Sequence, residues 1–512
     1  MFCICGSQRY SIHNVVLSLG ALWLDLHIHY AFFNFERIQI FTETLRSYLH
    51  ESQTPMRFST GLRFVRSVGD IRSLPAMKMH DILKRCDPFR KQVELNSFLE
   101  RQRDSEEFSL LKHWLCTPPQ YTTLRVNTLA TSVSEAKGRL QEHIDKCSRR
   151  EHMAYTVTKH PQLDDTLVVV SSQNRTQLEP CGRQVIVALE CGEAVLRGAN
   201  VFVPGVMGAP GNLQKGDMVA VYVDVDNKCC KGDKRHYQGE KVFIGNGMAR
   251  VSRDDIFKNG VIHGTAIDVT QPAYNCPPLN NVLRDILFLQ NIPSIVCSRV
   301  LDPQPGETVL DMCSAPGGKT AHIATLMRNQ GTVVALDKAS ARLKKTIENC
   351  ALWNLNVVQC FVHDATMPFN TNANLQQLPL KFDRIMLDAP CSALGQRPRL
   401  QYRQSLNEVL SYPNVQRALL TRACELVKSD GVIVYSTCSI NCAENEDVIA
   451  WALTNLPLEL AQQQPHLGGF GRSVDGLSEA DCRLLQSFEG RHDGEDFDRD
   501  TIGFFIAKLR RK

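Results

Sequence analysis

The chain carries little net charge. Its 512 residues hold 58 Lys and Arg against 54 Asp and Glu, a formal net charge of +4. That excludes a polybasic protein that grips nucleic acid through its global field, so any RNA surface must be a local basic patch. Long apolar runs are also missing. Val15 to Leu24 is apolar, but Asp25, His27 and His29 interrupt it, leaving too few residues for a membrane span. Arg9 is the only Lys or Arg ahead of this run and no small-residue cleavage site follows, so it does not read as a secretory signal either. The 19 cysteines include no C-x-x-C pair at zinc spacing and are scattered and odd in number. No disulfide framework is readable, and no metal site is expected. Cys3-Ile-Cys5 and Cys229-Cys230 lie close together without completing a ligand set. Finally, there is no G-x-G-x-x-G. The P-loop pattern that Gly318-Lys319-Thr320 imitates also fails, because Cys313 stands where its first glycine belongs.

What the chain does have lies between Leu310 and Ser439. Asp311-Met312-Cys313-Ser314-Ala315-Pro316-Gly317-Gly318-Lys319-Thr320, Asp388-Ala389-Pro390-Cys391 and Ser436-Thr437-Cys438-Ser439 each follow a short apolar run. The runs (Val309 to Met312, Phe382 to Leu387, Val432 to Tyr435) read as strands separated by helix-patterned segments, which predicts a doubly wound parallel α/β sheet. Ligands of such sheets bind beyond the carboxyl ends of the strands, so the three motifs are expected to share one crevice. Gly317 and Gly318 permit a tight turn, and Thr320 to Arg328 reads as a helix whose first N–H groups favour a polar ligand. Thr332 to Leu336 is a second strand ending in Asp337, about 20 residues past the turn and placed to accept from ribose hydroxyls. Val357 to Val362 ends in His363-Asp364, within reach of an adenine edge. Ribose and adenine recognition without a phosphate cradle points to S-adenosylmethionine, with Cys313, Ser314, Ala315, Pro316, Gly317, Gly318, Lys319, Asp337, Asp364 and Asp388 as the cofactor-binding set. An ordinary turn glycine pair remains the alternative for the loop taken alone.

A cysteine on such a loop is a nucleophile if its thiolate is populated, whereas a lone cysteine is more often a small buried hydrophobe. Two of them, Cys391 and Cys438, at strand ends in one crevice favour chemistry. Paired Pro-Cys and Thr-Cys motifs resemble those of the Sun-domain family of RNA cytosine-C5 methyltransferases. That resemblance covers Pro118 to the C-terminus. It implies that Cys438 attacks cytosine C6, that Asp388 holds the N3/N4 edge, that Lys319 positions the base and that Cys391 assists release of the product. Thiol chemistry implies a reducing compartment, and a cytoplasmic monomer is expected.

The rest of the chain divides into 1–75, an extension of uncertain structure; 76–176, helices and a small α+β RNA-recognition module; 177–262, a β-rich insert; and 263–512, the catalytic domain. Helical patterning covers Phe35 to Leu49 and Asp81 to Leu115. Strands are expected at Thr122 to Thr128, Tyr155 to Thr158 and Leu167 to Val170, with a helix from Ser132 to Cys147 capped by Ser132. Arg125-Val126-Asn127 resembles the family's R-V-N motif, which makes Arg125 and Asn127 candidate RNA contacts; a solvated strand end is the alternative. In the insert, short β-runs are expected at Glu193 to Leu196, Asn200 to Val203, Met218 to Val223 and Lys241 to Gly245. Leu196 to Gly205 resembles the signature of a PUA domain, an RNA-binding pseudo-barrel. The cluster Lys228, Lys231, Lys234, Arg235 suits phosphates or is a solvated turn. Phe202 suits a stacked base or a core position. Arg197, Phe202, Lys231 and Arg253 complete the candidate RNA contacts.

A PUA insert points to the branch of the family that methylates a cytosine of the tRNA acceptor stem near the CCA end. An RNA chaperone with an inactive methyltransferase fold is the competing reading. Glu444-Asn445-Glu446 is expected to open an acidic helix over Ala443 to Leu456, and Pro465 to Asp500 to form loop and helix. Thr501 to Leu509 is expected as a final edge strand. Short segments at Thr366 to Phe382 and Gly468 to Thr501 leave substrate range open.

Overall fold

The computed structural model describes residues 86–151, 155–171, 178–490 and 497–512. The expectations for Val15 to Leu24, Phe35 to Leu49, Cys3 and Cys5 lie outside them. The expected helix Asp81 to Leu115 is two helices among the described residues, α1 (Val93–Glu100) and α2 (Ser105–Cys116). They are separated because Asp104 caps the second: its side chain accepts the N–H of Glu107 at 2.7 Å.

Next come β1 (Tyr121–Val126), α3 (Val133–Glu151), β2 (Tyr155–Lys159) and β3 (Thr166–Ser171), with Ser132 Oγ accepting from the N–H of Glu135 ahead of α3. The insert follows: β4 (Arg183–Val187), α4 (Leu189–Leu196), β5 (Val201–Phe202), β6 (Val206–Gly208), β7 (Met218–Asp224), β8 (Lys241–Ala249), α5 (Arg253–Phe257) and β9 (Thr265–Pro272). Its six strands form one sheet in the order β5-β9-β8-β7-β4-β6. Two expectations are corrected here. Glu193 to Leu196 belongs to α4, a helix that packs Leu189, Val195 and Leu196 into the core of the insert. That sheet also runs past the boundary expected at 262, because β9 hydrogen-bonds along β8. The chain then returns to the small sheet: β10 (Leu287–Leu289) pairs with β1, giving the order β10-β1-β3-β2.

After α6 (Ile292–Leu301) the third sheet begins. Its elements are β11 (Thr308–Asp311), α7 (Gly318–Leu326), β12 (Thr332–Asp337), α8 (Ser340–Leu352), β13 (Val358–Val362), β14 (Phe382–Asp388), α9 (Leu406–Leu426), β15 (Val427–Thr437), α10 (Glu446–Asn455), β16 (Leu458–Leu460), α11 (Glu479–Arg483), β17 (Leu485–Phe488) and β18 (Phe504–Arg511). Successive strand residues face opposite sides, and here both sides are buried. Leu310, Val334, Ile385, Leu387, Ile433 and Tyr435 pack with α9 and α10, while Val309, Val333, Met386 and Val434 pack with α6 and α7. That is why these strands read as continuous apolar runs.

Strand order is β13-β12-β11-β14-β15-β18-β16, with β17 also on β18. The first five are mutually parallel and β18 is antiparallel to β15. The order reverses between β11 and β14, the place where such sheets bind ligands. β18 is not the edge strand expected from Thr501 to Leu509. It lies between β15 and the β16 and β17 segments, and β17 falls in the stretch expected to be loop and helix.

Candidate active site

Each motif is held where its strand ends. Asp311 closes β11 and accepts from Thr320 Oγ1 at 2.7 Å. Burial pushes its carboxyl up to about 7. The turn that follows is pinned by the N–H of Ser314 on the carbonyl of Leu336 (2.8 Å) and the N–H of Gly317 on the carbonyl of Ser314 (2.7 Å). Gly317 has φ +97°, and a Cβ there would meet Thr346 Cα at 2.7 Å, so the position requires glycine. Asp337 closes β12, with one oxygen on the N–H of Ala339 (2.9 Å) and the other 3.6 Å from Arg342. Asp364 accepts from Thr366, which holds its carboxyl below the usual range.

Asp388, at the end of β14, joins the second motif to the other two. Its oxygens meet Lys319 Nζ (2.8 Å) and Ser436 Oγ (2.8 Å). Burial opposes the charge of Lys319, but the Asp388 carboxylate outweighs it and raises the lysine above its ordinary range. Lys319 also lies over the ring of Phe504, 5.1 Å from its centre. Cys391 and Cys438 bring their sulfurs to 3.4 Å. The hydrogen bond from Cys391 holds the Cys438 thiol below its ordinary value, whereas the same contact, with burial, pushes Cys391 well up. Of the two, Cys438 is the one prepared to be a thiolate.

Sequence reasoning missed the residue that holds these two loops together. Glu444 is fully buried. Its carboxylate accepts from the N–H and hydroxyl of Ser392, the hydroxyl of Ser439, Nε2 of Gln416 and Nδ2 of Asn441. Ser392 follows Cys391 and Ser439 follows Cys438, so one carboxylate fixes both cysteine loops. Nor does the Glu444-Asn445-Glu446 run open a helix at Ala443 as expected from sequence: α10 begins at Glu446, after a short 3-10 turn. All three are buried, Asn445 bonds Thr437 Oγ1 and the carbonyl of Ser439, and burial pushes Glu446 up to about 7. The legible signal was three polar residues, Glu444 to Glu446, in the segment that follows the Ser436 to Ser439 motif.

The expected S-adenosylmethionine fits what is here. Asp337 suits a ribose diol, the glycine turn admits close approach, and two buried polar atoms at the turn, Ser314 Oγ and one Asp311 oxygen, have no hydrogen-bond partner. Among the described residues no group of three His, Cys, Asp or Glu could hold a metal, and no helix is long and apolar enough to cross a membrane.

The RNA candidates divide. Arg125 and Asn127 are fully buried, and the reading of them as RNA contacts is corrected: Asn127 Oδ1 accepts from the N–H of Leu129, and Arg125 points into the protein. Lys231 Nζ donates to the carbonyls of Pro204 (2.8 Å) and Val206 (2.6 Å). Arg253 donates to the carbonyls of Ala209 and Gly232 and stacks on Phe257. Both tie the insert to itself. Arg197 is exposed, and Phe202 is 52% exposed, so it is not a core residue.

Residues 298–510 match the family model of the RsmB/F 16S rRNA methyltransferases, and residues 183–271 match the PUA domain. The tRNA (cytosine(72)-C(5))-methyltransferase NSUN6 of Mus musculus is 43% identical over 443 residues, 81% of this chain and 92% of the mouse protein. The protein of that name from Homo sapiens is 42% identical, over 81% and 94%. Among solved structures, NSun6 from Pyrococcus horikoshii with SFG superposes with a TM-score of 0.68 at 29% identity, covering 82% of this chain and 97% of that one.

Proposed function

Since the chain belongs to the Sun-domain family of RNA cytosine-C5 methyltransferases, we propose that it methylates C5 of a tRNA cytosine in the acceptor stem, beside the CCA end. The observation that carries this reading is the 3.4 Å pair of sulfurs, with Cys438 lowered and Cys391 raised, beside the Lys319–Asp388 ion pair at the switch point of the sheet.

S-adenosylmethionine supplies an electrophilic methyl group on a sulfonium, and Asp337, Ser314, Asp311 and the Gly317-Gly318 turn are the residues that would hold it. Cytosine C5 is a poor nucleophile. The Cys438 thiolate adds to C6, and the electron pair displaced to C5 makes that carbon enamine-like. Asp388 holds the N3/N4 edge and stabilises the ring when it is protonated, while Lys319 holds the Asp388 carboxylate in place at 2.8 Å. Once C5 carries the methyl, its proton passes to solvent water and the C5–H electron pair forms the C5–C6 double bond, expelling Cys438 from C6 as a thiolate. Cys391, raised and therefore protonated, lies 3.4 Å away to donate a hydrogen bond to the departing thiolate. Glu444 keeps both cysteines at that spacing.

The test is bisulfite sequencing of total tRNA incubated with the enzyme and labelled methyl donor. Protection of one acceptor-stem cytosine, lost in Cys438→Ala, supports the reading. Label at another position corrects the target, and absence of label in RNA returns the chain to a binding role.

A further inference from the structure

Arg125 is a positive charge taken wholly out of water on β1, and the chemistry above does not explain it. A buried ion is costly unless it is paired and hydrogen-bonded, and this one is aimed. Nε donates to Gln290 Oε1 at 2.9 Å, and a terminal nitrogen donates to the carbonyl of Gly318 at 3.2 Å. The guanidinium carbon stands 4.7 Å from the ring centre of Trp353 and 5.6 Å from that of Phe288, two rings that meet edge to face. Gly318 opens α7. It follows the left-handed Gly317 and precedes Lys319, the partner of Asp388. Space there is tight as well: a Cβ on Gly318 would stand 3.0 Å from Phe288. One turn further along α7, His322 Nε2 meets Asp165 Oδ2 at 2.9 Å, and Asp165 lies just ahead of β3 in the same small sheet as Arg125. Arg299 joins Asp165 at 2.8 Å. Burial pulls the His322 ring down to about 4, so its neutral Nε2–H donates to the carboxylate at physiological pH.

We propose that Arg125 is a positioning residue for the methyl-donor site. Through Gly318, with Asp165 supporting the next turn at His322, the small sheet sets the first turns of α7 and hence the Gly317-Gly318-Lys319 segment. The module expected from sequence to meet RNA is on this account a wall of the donor site, and it couples donor binding to the accessory sheet. The inference rests on the methyltransferase reading above.

The experiment uses the full chain. Calorimetry measures the affinity for S-adenosylmethionine and its demethylated product. Filter binding at several salt concentrations measures affinity for tRNA, and steady-state kinetics separate kcat from the donor KM. Arg125→Lys keeps the cation and most of the stem but loses the fork. It should weaken donor binding and raise donor KM about tenfold, with tRNA affinity and its salt slope unchanged. A lower melting temperature with unchanged donor affinity overturns the proposal, as does weaker tRNA binding with unchanged donor affinity. Should the Lys variant fail to fold, Gln290→Met removes the acceptor that aims the guanidinium, together with the bond from Nε2 to Ser294 Oγ. About a threefold loss of donor affinity is then expected, and no loss overturns the proposal. A wild-type chain that binds no donor overturns the enzymatic reading as well, whereas a wild type that binds it beside an unaffected Arg125→Lys overturns this inference alone.

Discussion

Cys391 is the largest influence holding the Cys438 thiol low, ahead of Gln396 and Lys319, and that makes single-residue predictions sharp. Cys438→Ala should abolish both methyl transfer and covalent RNA adducts. Cys391→Ala should still form the adduct but release it poorly, so a denaturant-resistant RNA complex accumulates on a gel. The reverse pattern would exchange the two roles. A pH effect follows with a definite sign. A thiol held below its ordinary value stays ionised further into acid, so single-turnover methylation should fall only as pH drops through that lowered value. In Cys391→Ala the hydrogen bond is gone, and the acidic limb should move up toward the ordinary thiol range. Asp337→Ala removes the acceptor expected for a ribose hydroxyl. A hydrogen bond to a charged group contributes about 1.5–3 kcal/mol, so donor affinity measured by calorimetry should fall about tenfold or more. Residues of this kind were legible because each ends an apolar run on a polar loop. Arg125 was misread for the converse reason: a buried arginine and an exposed one look alike until the rings of Phe288 and Trp353, distant in sequence, close around it.

At the scale of elements, the strands that read correctly are those buried on both faces, β11, β12, β14 and β15, where local pattern and final environment agree. The failures have physical causes. α4 follows a strand and is rich in Val and Leu, so its short run imitates another strand. β17 is brief and follows a polar, glycine-containing stretch, and it gains its partners from β18 and, at Ser487, from Gly469. Glu444 lies in a 3-10 turn ahead of α10, where the sequence pattern already begins the helix. The structure instead makes it the clamp between the loops after β14 and β15, which gives an element-level prediction. Glu444→Gln turns one acceptor of buried donors into a donor facing them. kcat should drop about tenfold or more, while donor KM stays near wild type, because the donor turn is built from β11 and α7. An equal loss in donor affinity would show that the clamp reaches the whole crevice.

Across the whole molecule, the PUA segment is an excursion between two strands of one small sheet, since β10 returns to pair with β1. A base in an acceptor stem must leave its stack before Cys438 can reach C6, at a cost of a few kcal/mol, and a stem end beside a single-stranded tail frays most readily. Removal of the CCA tail should therefore reduce methylation far more than changes to the anticodon arm, and full activity without CCA would sink this account of target choice. Phe202→Ala should weaken tRNA binding by about 1–3 kcal/mol if the exposed ring stacks a tail base. Lys231→Ala, whose ammonium is bound to two carbonyls of its own domain, should instead lower the melting temperature of the insert.

The position of β18 also has a consequence for how the protein is made. This strand is the last in chain order, yet it lies inside the sheet. The N–H of Gly503 just before it bonds the carbonyl of Gly395 at 2.7 Å, in the loop that carries Cys391, and Phe504 lies under Lys319. Domains usually condense as they emerge during synthesis. Here the catalytic sheet must keep a gap beside β15 until its final strand has left the ribosome. Between the synthesis of β15 and that of β18 a nascent chain therefore bears an unpaired inner edge, and a message cut short before β18 encodes Lys319, Asp388, Cys391 and Cys438 without the strand that seats their loops.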